Sequence, residues 1–255
     1  MSEPPIDLAH ADIGLVAALP IEISAFMDRC ERVRKYKGNG LTFRGGRYDR
    51  AKIACVEGGM GFARARTATQ ALIDAHSPNW VLSVGFSGAL HEDMHCGDIV
   101  MANAICDTHG QQLFVDLKME SNPQSGLYVG KVLTVDQIVR AVDEKRALAA
   151  QYEAIAVDLE SLAVAQVCRD SKTKFMAIRV ISDDMTADLP PEILSVVGAT
   201  GAVRIGAALG ALWKRPGSAT DMWKLRDHAL KAATKLATFL DGVILQLQAT
   251  SKPAA

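Results

Sequence analysis

The chain has 255 residues, with 28 lysines and arginines against 29 aspartates and glutamates, so its formal net charge is −1. The length suits one large α/β domain or two small ones. Apolar residues make up 49% of the chain, which is enough for a sizeable core. The balanced charge and the lack of a long basic run argue against a nucleic-acid partner.

The cysteines and the chain ends bear on the cellular setting. The five cysteines are scattered, odd in number and form no C-x-x-C pair, which is typical of free thiols in a reducing cytoplasm. The N-terminus is polar and contains proline, which predicts no signal peptide. The longest apolar run, 205–213, is too short to span a bilayer. We predict a cytoplasmic protein with a single domain at 12–248 and flexible ends at 1–11 and 249–255.

Segments with strand and helix patterns alternate along the chain. In chain order they are a strand at 13–19, a helix from Pro20, a hairpin at 41–59, a helix at 61–76, strands at 79–88 and 97–107, a helix at 143–151, a short strand turning into a helix near Glu160, a strand at 174–184 and a long amphipathic helix at 221–248. This alternation predicts an α/β fold of one domain, in which helices flank a central mixed, mostly parallel sheet.

Three acids follow or end predicted strands, namely Glu22, Glu160 and Asp183. In open α/β folds the ligand lies at the carboxyl ends of the strands. Helix capping or solvation would explain each acid taken alone. Together with glycine turns at 58–61 and 85–88, the three acids predict a carboxylate-lined cleft. The residues alone do not name its substrate.

A zinc-protease pattern, H-E-x-x-H, runs from His91 to His95. On a helix this spacing places two histidines on one face for zinc, with the glutamate as general base. Gly88 and Gly97 flank the pattern, and strand-like residues follow it, so there is no room for a long helix. We predict a loop whose histidines face water, and no metal site.

Five stretches between about residues 13 and 185 resemble, in order and spacing, the purine nucleoside phosphorylase/nucleosidase superfamily. They are IGLVAALPIEI, VEGGMG, VGFSGALHEDMHCGDIVMA, AIAVDLESLAVAQVC and AIRVISDD. The likeness is greatest to 5′-methylthioadenosine/S-adenosylhomocysteine nucleosidases. It implies a nucleoside phosphorylase-like fold and hydrolysis of the N-glycosidic bond of a 5′-substituted adenosine, which releases adenine. It implies no cofactor and no metal.

The resemblance also implies roles for the acids. Asp183 falls on the aspartate that protonates N7 of the purine, with Ser182 steadying it. That role needs a raised pKa, which burial and the neighbouring Asp184 could supply. Glu22 falls on the glutamate that positions the attacking water. Glu160 falls on the glutamate that accepts hydrogen bonds from the ribose hydroxyls and favours the developing cation.

The rest of the nucleoside site is implied in the same way. Leu159 replaces the usual methionine under the sugar. Backbone groups at Val139 would read the adenine edge, and Ile138 stands where many nucleosidases place a stacking phenylalanine. Phe86 replaces a small hydroxyl residue near the nucleophile. The full set expected around the base is Ala18, Phe86, Gly88, Ile138, Val139 and Ser182.

Two alternative functions stay open. Phosphorylases carry an arginine at the positions of Glu22 and Ser83, and a carboxylate repels phosphate, so hydrolysis is favoured over phosphorolysis. Phosphorolysis would need other cations, and the candidates are Arg44, Arg47, Arg64 and Arg66. A catalytically inactive nucleoside-binding protein is the second alternative.

The C-terminal part beyond residue 185 resembles the hopanoid-associated subgroup, through DLPPEI, GALWKRPG and the basic amphipathic tail. That resemblance implies adenosylhopane as a substrate. The tail could lie on a membrane surface, but we favour a helix packed over the sheet or at a subunit contact. The expected partners are a small nucleoside and further copies of the chain, as a homodimer or higher homo-oligomer.

Overall fold

The computed structural model of the chain describes residues 10–38, 40–191, 193 and 217–250. The expected flexible ends therefore lie almost wholly outside the described residues. Most of the GALWKRPG stretch lies outside them as well. The segments predicted to form the cleft all fall within them.

Ten strands form one sheet in the described part of the chain. They are β1 (Ile13–Ala17), β2 (Glu31–Gly38), β3 (Leu41–Tyr48), β4 (Ala51–Glu57), β5 (Trp80–Ala89), β6 (Ile99–Asp107), β7 (Gln112–Phe114), β8 (Leu127–Thr134), β9 (Ala156–Asp158) and β10 (Lys174–Asp183). The helices described are α1 (Pro20–Met27), α2 (Phe62–His76), α3 (Val142–Tyr152), α4 (Ser161–Asp170) and α5 (Gly217–Thr250), with a 3₁₀ turn at Pro123–Ser125.

The sheet combines a closed ring with an open arm. Strand β5 pairs with both β10 and β9, so β5, β10, β6, β8 and β9 close on themselves. The arm continues from β5 through β1, β4 and β3 to the edge strand β2. Closure pairs the strand edges within the ring. A cavity can then form only at the ends of its strands.

The predicted α/β class with a mixed central sheet flanked by helices is confirmed. Parallel pairs link β5 with β1 and β10, and antiparallel pairs join the β2–β3–β4 meander. The share of antiparallel pairs is larger than expected, because β2 and β7 were not anticipated. Strand β2 is exposed along almost its whole length and rich in lysine and arginine, so it lacks the alternation that identifies a half-buried strand.

Helix α5 covers one face of the sheet and packs against α1, β5 and β10. Its inward side chains Leu236, Leu240 and Ile244 are fully buried. Helices α2 and α4 cover the opposite face, where they contact each other and strands β1 and β10. Among the described helices, none combines the length and apolarity that crossing a bilayer requires.

Alanine substitutions on the buried and exposed faces of α5 should differ in their effect on stability. Leu236→Ala removes a side chain with 0% exposure, and we expect the free energy of unfolding in urea to fall by roughly 2–5 kcal/mol. Leu230→Ala on the same helix is the matched control, because Leu230 is 43% exposed and its loss should change stability by less than about 0.5 kcal/mol. Equal losses in the two variants would contradict the packing of this helix.

Candidate active site

A cavity of about 340 Å³ lies where strand ends and their following loops meet. All ten residues predicted from the sequence line it. They are Ala18, Glu22, Phe86, Gly88, Ile138, Val139, Leu159, Glu160, Ser182 and Asp183. Each residue lies in the last four residues of a strand or in the loop or helix that follows one, which is where α/β folds place ligands. The structure thus brings the whole predicted set together around one space.

Glu22 lies in the first turn of α1 and is buried. Its Oε2 accepts a hydrogen bond from the Leu19 N–H at 2.7 Å, and its Oε1 accepts one from the Phe86 N–H at 3.0 Å. A Cβ on Gly85 would lie 2.8 Å from Oε1, so only glycine leaves room for the carboxylate. Burial raises the pKa of Glu22, and the backbone N–H groups partly offset this rise. The group is therefore a stronger base than an ordinary glutamate.

Glu160 lies between β9 and α4 and points toward the start of α2. Its Oε1 accepts a hydrogen bond from the Gly61 N–H at 2.7 Å. Gly61 has φ of +100°, a conformation that L side chains rarely adopt, which explains the glycine. Burial, with repulsion from Asp158 and Glu22, raises the pKa of Glu160 to about 8. A sugar diol that donates to this carboxylate would offset that penalty.

Under these acids lies a buried ion pair that the sequence analysis did not identify. Arg179 of β10 donates from Nε to Asp158 Oδ2 at 2.7 Å, and from Nη2 to Ser83 Oγ at 2.8 Å. Asp158 Oδ1 also accepts a hydrogen bond from Thr134 Oγ1 at 2.8 Å. Arg179 is 2% exposed, so its charge is matched inside the protein. A buried arginine in a strand has no local sequence signature, because its partners come from other strands.

Asp183 ends β10, where the register against β5 shifts between Ile181 and Asp183. Such an irregularity re-aims the side chains near it. The Ser182 hydroxyl donates to Asp183 Oδ1 at 2.8 Å, the contact expected from the sequence. A Cβ on Gly88 would lie 2.9 Å from Asp183 Oδ2, so the carboxylate rests against bare β5 backbone.

The charge found against Asp183 is a lysine. Lys145 of α3 places Nζ 2.6 Å from Asp183 Oδ2, and its side chain is fully buried. The sequence predicts like-charge repulsion between Asp184 and Asp183. The Asp184 carboxylate instead accepts hydrogen bonds from the Thr186 N–H and hydroxyl, which lower the pKa of Asp184 against the effect of burial.

The remaining walls of the cavity are mostly apolar. The predicted base-site residues Val139 and Ile138 lie in the loop after β8, and Leu159 follows β9. The cavity is further lined by apolar side chains that the sequence analysis did not name, which are Leu19, Ile21, Met60, Val135, Val157, Leu189, Ile193 and Ala229. No lysine or arginine is among the described lining residues.

The H-E-x-x-H segment forms bends and turns after β5 rather than a helix, as predicted. His91 and His95 are both exposed. In the ranges that the structure describes, no three His, Cys, Asp or Glu side chains are grouped to hold a metal ion.

The four arginines considered for phosphate do not line the cavity. Arg44 pairs with Glu57 at 2.5 Å and donates to Ser24. Arg47, Arg64 and Arg66 are exposed.

Comparison with known proteins identifies the family. A sequence model described as the phosphorylase superfamily matches residues 12–125 and 117–198. The chain belongs to the phosphorylase superfamily. The two matches together include every cavity residue singled out above except Ala229.

Relatives of this phosphorylase superfamily member include nucleosidases. A 5′-methylthioadenosine/S-adenosylhomocysteine nucleosidase of Staphylococcus haemolyticus is 22% identical over 195 residues, covering 67% of this chain and 86% of the relative. A crystal structure of the nucleosidase of that name from Helicobacter pylori, with butyl-thio-DADMe-Immucillin-A, has TM-score 0.68 and 18% identity, covering 93% and 99% of the two chains. The futalosine hydrolase of Helicobacter pylori has TM-score 0.67 and 18% identity, covering 92% and 97%. At this identity the structures establish the fold that the superfamily member shares with them.

The raised pKa of Glu160 makes the stability of this superfamily member depend on pH. Because the folded chain raises this pKa from 4.5 to about 8, the contribution of Glu160 to stability is complete below about pH 4.5 and is lost as pH rises through about 8. We expect the free energy of unfolding to fall by roughly a few kcal/mol over this range, and to fall less in Glu160→Gln. Urea titrations at several pH values measure both slopes.

The matched control for the pH experiment is Glu153→Gln, because the Glu153 side chain is 88% exposed. This variant should keep the wild-type slope. A wild-type slope in Glu160→Gln would contradict the assigned burial of that carboxyl group.

Proposed function

We propose that the chain is a nucleosidase that hydrolyses the N-glycosidic bond of a 5′-substituted adenosine and releases adenine. The observation that carries this proposal is that three carboxylic acids, Glu22, Glu160 and Asp183, line one largely apolar cavity. The names of the nucleosidase relatives support the reaction class. Each acid has one part in the reaction.

The sugar half of the site contains Glu160 and Glu22. Glu160 accepts hydrogen bonds from the ribose hydroxyls, which orients the sugar and places negative charge beside the cation that develops as the bond breaks. Glu22 takes a proton from the attacking water. Its raised pKa suits that task, because a stronger base removes the proton more readily. The Leu19 and Phe86 N–H groups hold its carboxylate in place.

The base half of the site contains Asp183. Protonation of N7 makes adenine a better leaving group, because the electrons of the broken bond then enter a neutral base. Ser182 orients the carboxylate through its 2.8 Å hydrogen bond. The loop residues Ile138 and Val139 provide an apolar surface for the adenine ring.

Phosphorolysis is the less favoured reaction. A phosphate ion beside Glu22 would meet like charge, and the Phe86 N–H that could bind it already donates to Glu22. The buried Arg179 is committed to Asp158 and Ser83, and the buried Lys145 is committed to Asp183. These contacts favour water as the nucleophile.

A binding protein without activity is the second alternative. Such a protein gains nothing from burying carboxylates that must be held by backbone donors, because each buried charge costs stability unless it is compensated. The retained acids therefore favour an enzyme.

The apolar walls favour an apolar 5′ substituent such as methylthio. Leu189, Ile193 and Ala229 are among the apolar residues that line the cavity. Loop 184–191 is fixed there by two hydrogen bonds from the Arg140 guanidinium to the Leu189 carbonyl, at 2.8 and 3.1 Å. Adenosylhopane, which the C-terminal resemblance implies, stays a prediction. So do the homodimer, the cytoplasmic location and the membrane-surface contact.

The acids can be tested one at a time. Glu22→Gln and Asp183→Asn should each slow adenine release from 5′-methylthioadenosine by roughly 10²–10⁴-fold, because each variant removes one proton-transfer group. Initial rates of adenine formation measure the effect, and thermal melting verifies that the variants fold. Glu92→Gln is the control, since the Glu92 side chain is 70% exposed and does not line the cavity. A full rate in Asp183→Asn would refute the assignment.

The nucleophile can be tested by omitting phosphate. We expect the wild-type protein to cleave 5′-methylthioadenosine at the same rate with and without phosphate and to produce the free sugar, because none of the described residues that line the cavity is a lysine or arginine that could bind a phosphate ion. Chromatography of the sugar product distinguishes the free sugar from its 1-phosphate. A rate that requires phosphate would establish the phosphorylase alternative.

A further inference from the structure

Lys145 is a buried lysine on a helix whose neighbouring residues are exposed. Its side chain has 0% exposure, whereas Glu144 and Arg146 beside it in α3 face solvent. The ammonium group lies 2.6 Å from Asp183 Oδ2, 2.9 Å from the Asp184 carbonyl and 3.4 Å from the Asp183 carbonyl. Three acceptors match the three protons of an ammonium group. The lysine is therefore fully committed to the end of β10.

Asp183 and Lys145 lie at different depths from the cavity. Asp183 lines the cavity, whereas Lys145 lies behind it and is absent from the lining. A Cβ on Gly88 would lie 2.9 Å from Asp183 Oδ2 and 3.5 Å from Lys145 Cε, so the β5 backbone packs against both side chains. The order from the cavity inward is thus carboxylate, then ammonium.

Packing alone does not explain a charge at this position. A buried ion pair contributes little net stability, and apolar side chains of similar volume often serve a core as well or better. Lys145 also makes a closer contact with Asp183 than the 2.8 Å contact made by Ser182. The charge must therefore matter for what Asp183 does.

We propose that Lys145 is a positioning residue for leaving-group protonation, which holds Asp183 at the cavity wall and supplies the proton that Asp183 passes to the departing base. The proposal rests on the nucleosidase function proposed above. Lys145 acts through Asp183 and does not touch the substrate.

Lys145 Nζ first passes a proton to the Asp183 carboxylate across the 2.6 Å contact, which leaves a neutral amine. The bond from C1′ to the base then breaks with its electron pair on the base, and N7 takes this proton from Asp183, which restores the carboxylate. The water oxygen bonds to C1′ and its proton goes to Glu22. After the products leave, Glu22 releases a proton to solvent and Lys145 takes one up.

Two purine bases can test the pair without any reaction. Adenine presents N7 as an acceptor, whereas 9-deazaadenine carries a hydrogen on N7 and donates. A carboxylate paired with Lys145 accepts from 9-deazaadenine, so the wild-type protein should bind 9-deazaadenine roughly tenfold more tightly than adenine. In Lys145→Met the carboxyl group loses the ammonium contact that holds it at the cavity wall, so this preference should disappear. Calorimetry measures both dissociation constants.

Kinetics provides a second readout. Lys145→Met should lower kcat for 5′-methylthioadenosine by roughly 10²–10³-fold while KM changes far less, because proton delivery is lost and sugar binding is kept. Lys145→Gln keeps a hydrogen-bond donor without the cation and should show the same loss, so it serves if the methionine variant does not fold. Lys131→Met is the matched control, because Lys131 is a partly buried lysine of β8 that bonds the Tyr152 carbonyl.

The outcomes separate the two proposals. If the affinities for adenine and 9-deazaadenine fall by the same factor in both Lys145 variants, the lysine is only structural and this inference is overturned. If the wild-type protein binds both bases but cleaves no 5′-substituted adenosine, the nucleosidase function fails instead. A changed base preference in the Lys145 variants, with an unchanged preference in Lys131→Met, supports the inference.

Discussion

The ion pair between Arg179 and Asp158 aligns the strands that carry the site. Arg179 of β10 bonds Asp158 at the end of β9 and Ser83 within β5, so three strands of the ring meet at one guanidinium. Glu160 follows Asp158 by two residues, and Asp183 follows Arg179 by four. Removing either member would leave an uncompensated buried charge, which is strongly unfavourable. The positions of Glu160 and Asp183 at the cavity therefore depend on this pair.

The acids differ in what holds them. Glu22 and Glu160 are fixed by backbone N–H groups of the sheet and of the α2 start, which are rigid donors. Asp183 is held by the side chains of Ser182 and Lys145. Rigid donors suit these two carboxyl groups, because groups that are already held in place need no reorganisation as the bond breaks. Side-chain partners that exchange protons suit the group that must give one away.

The sequence could predict the acids but not what supports them. Glu22, Glu160 and Asp183 follow recognisable strands, and strand ends are where α/β folds bind ligands. Lys145 lies in a run of charged residues on a helix, where a lysine is expected to face solvent, and its partner Asp183 is 38 residues away. In the sequence, Arg179 is a single polar residue within an apolar strand, and nothing near it indicates its partners. Such pairings depend on how the ring closes, and local patterns do not encode ring closure. Strand β2 escaped prediction because an exposed edge strand needs no alternation.

The bare backbone at Gly85 has a consequence for how this site can evolve. A methyl group there would lie 2.8 Å from Glu22 Oε1, so the glycine and the acid share one volume. A side chain at position 85 would fit only if the residue at position 22 became smaller. A larger residue at position 85 would thus need a simultaneous change at Glu22. The two residues should be inherited as a linked pair.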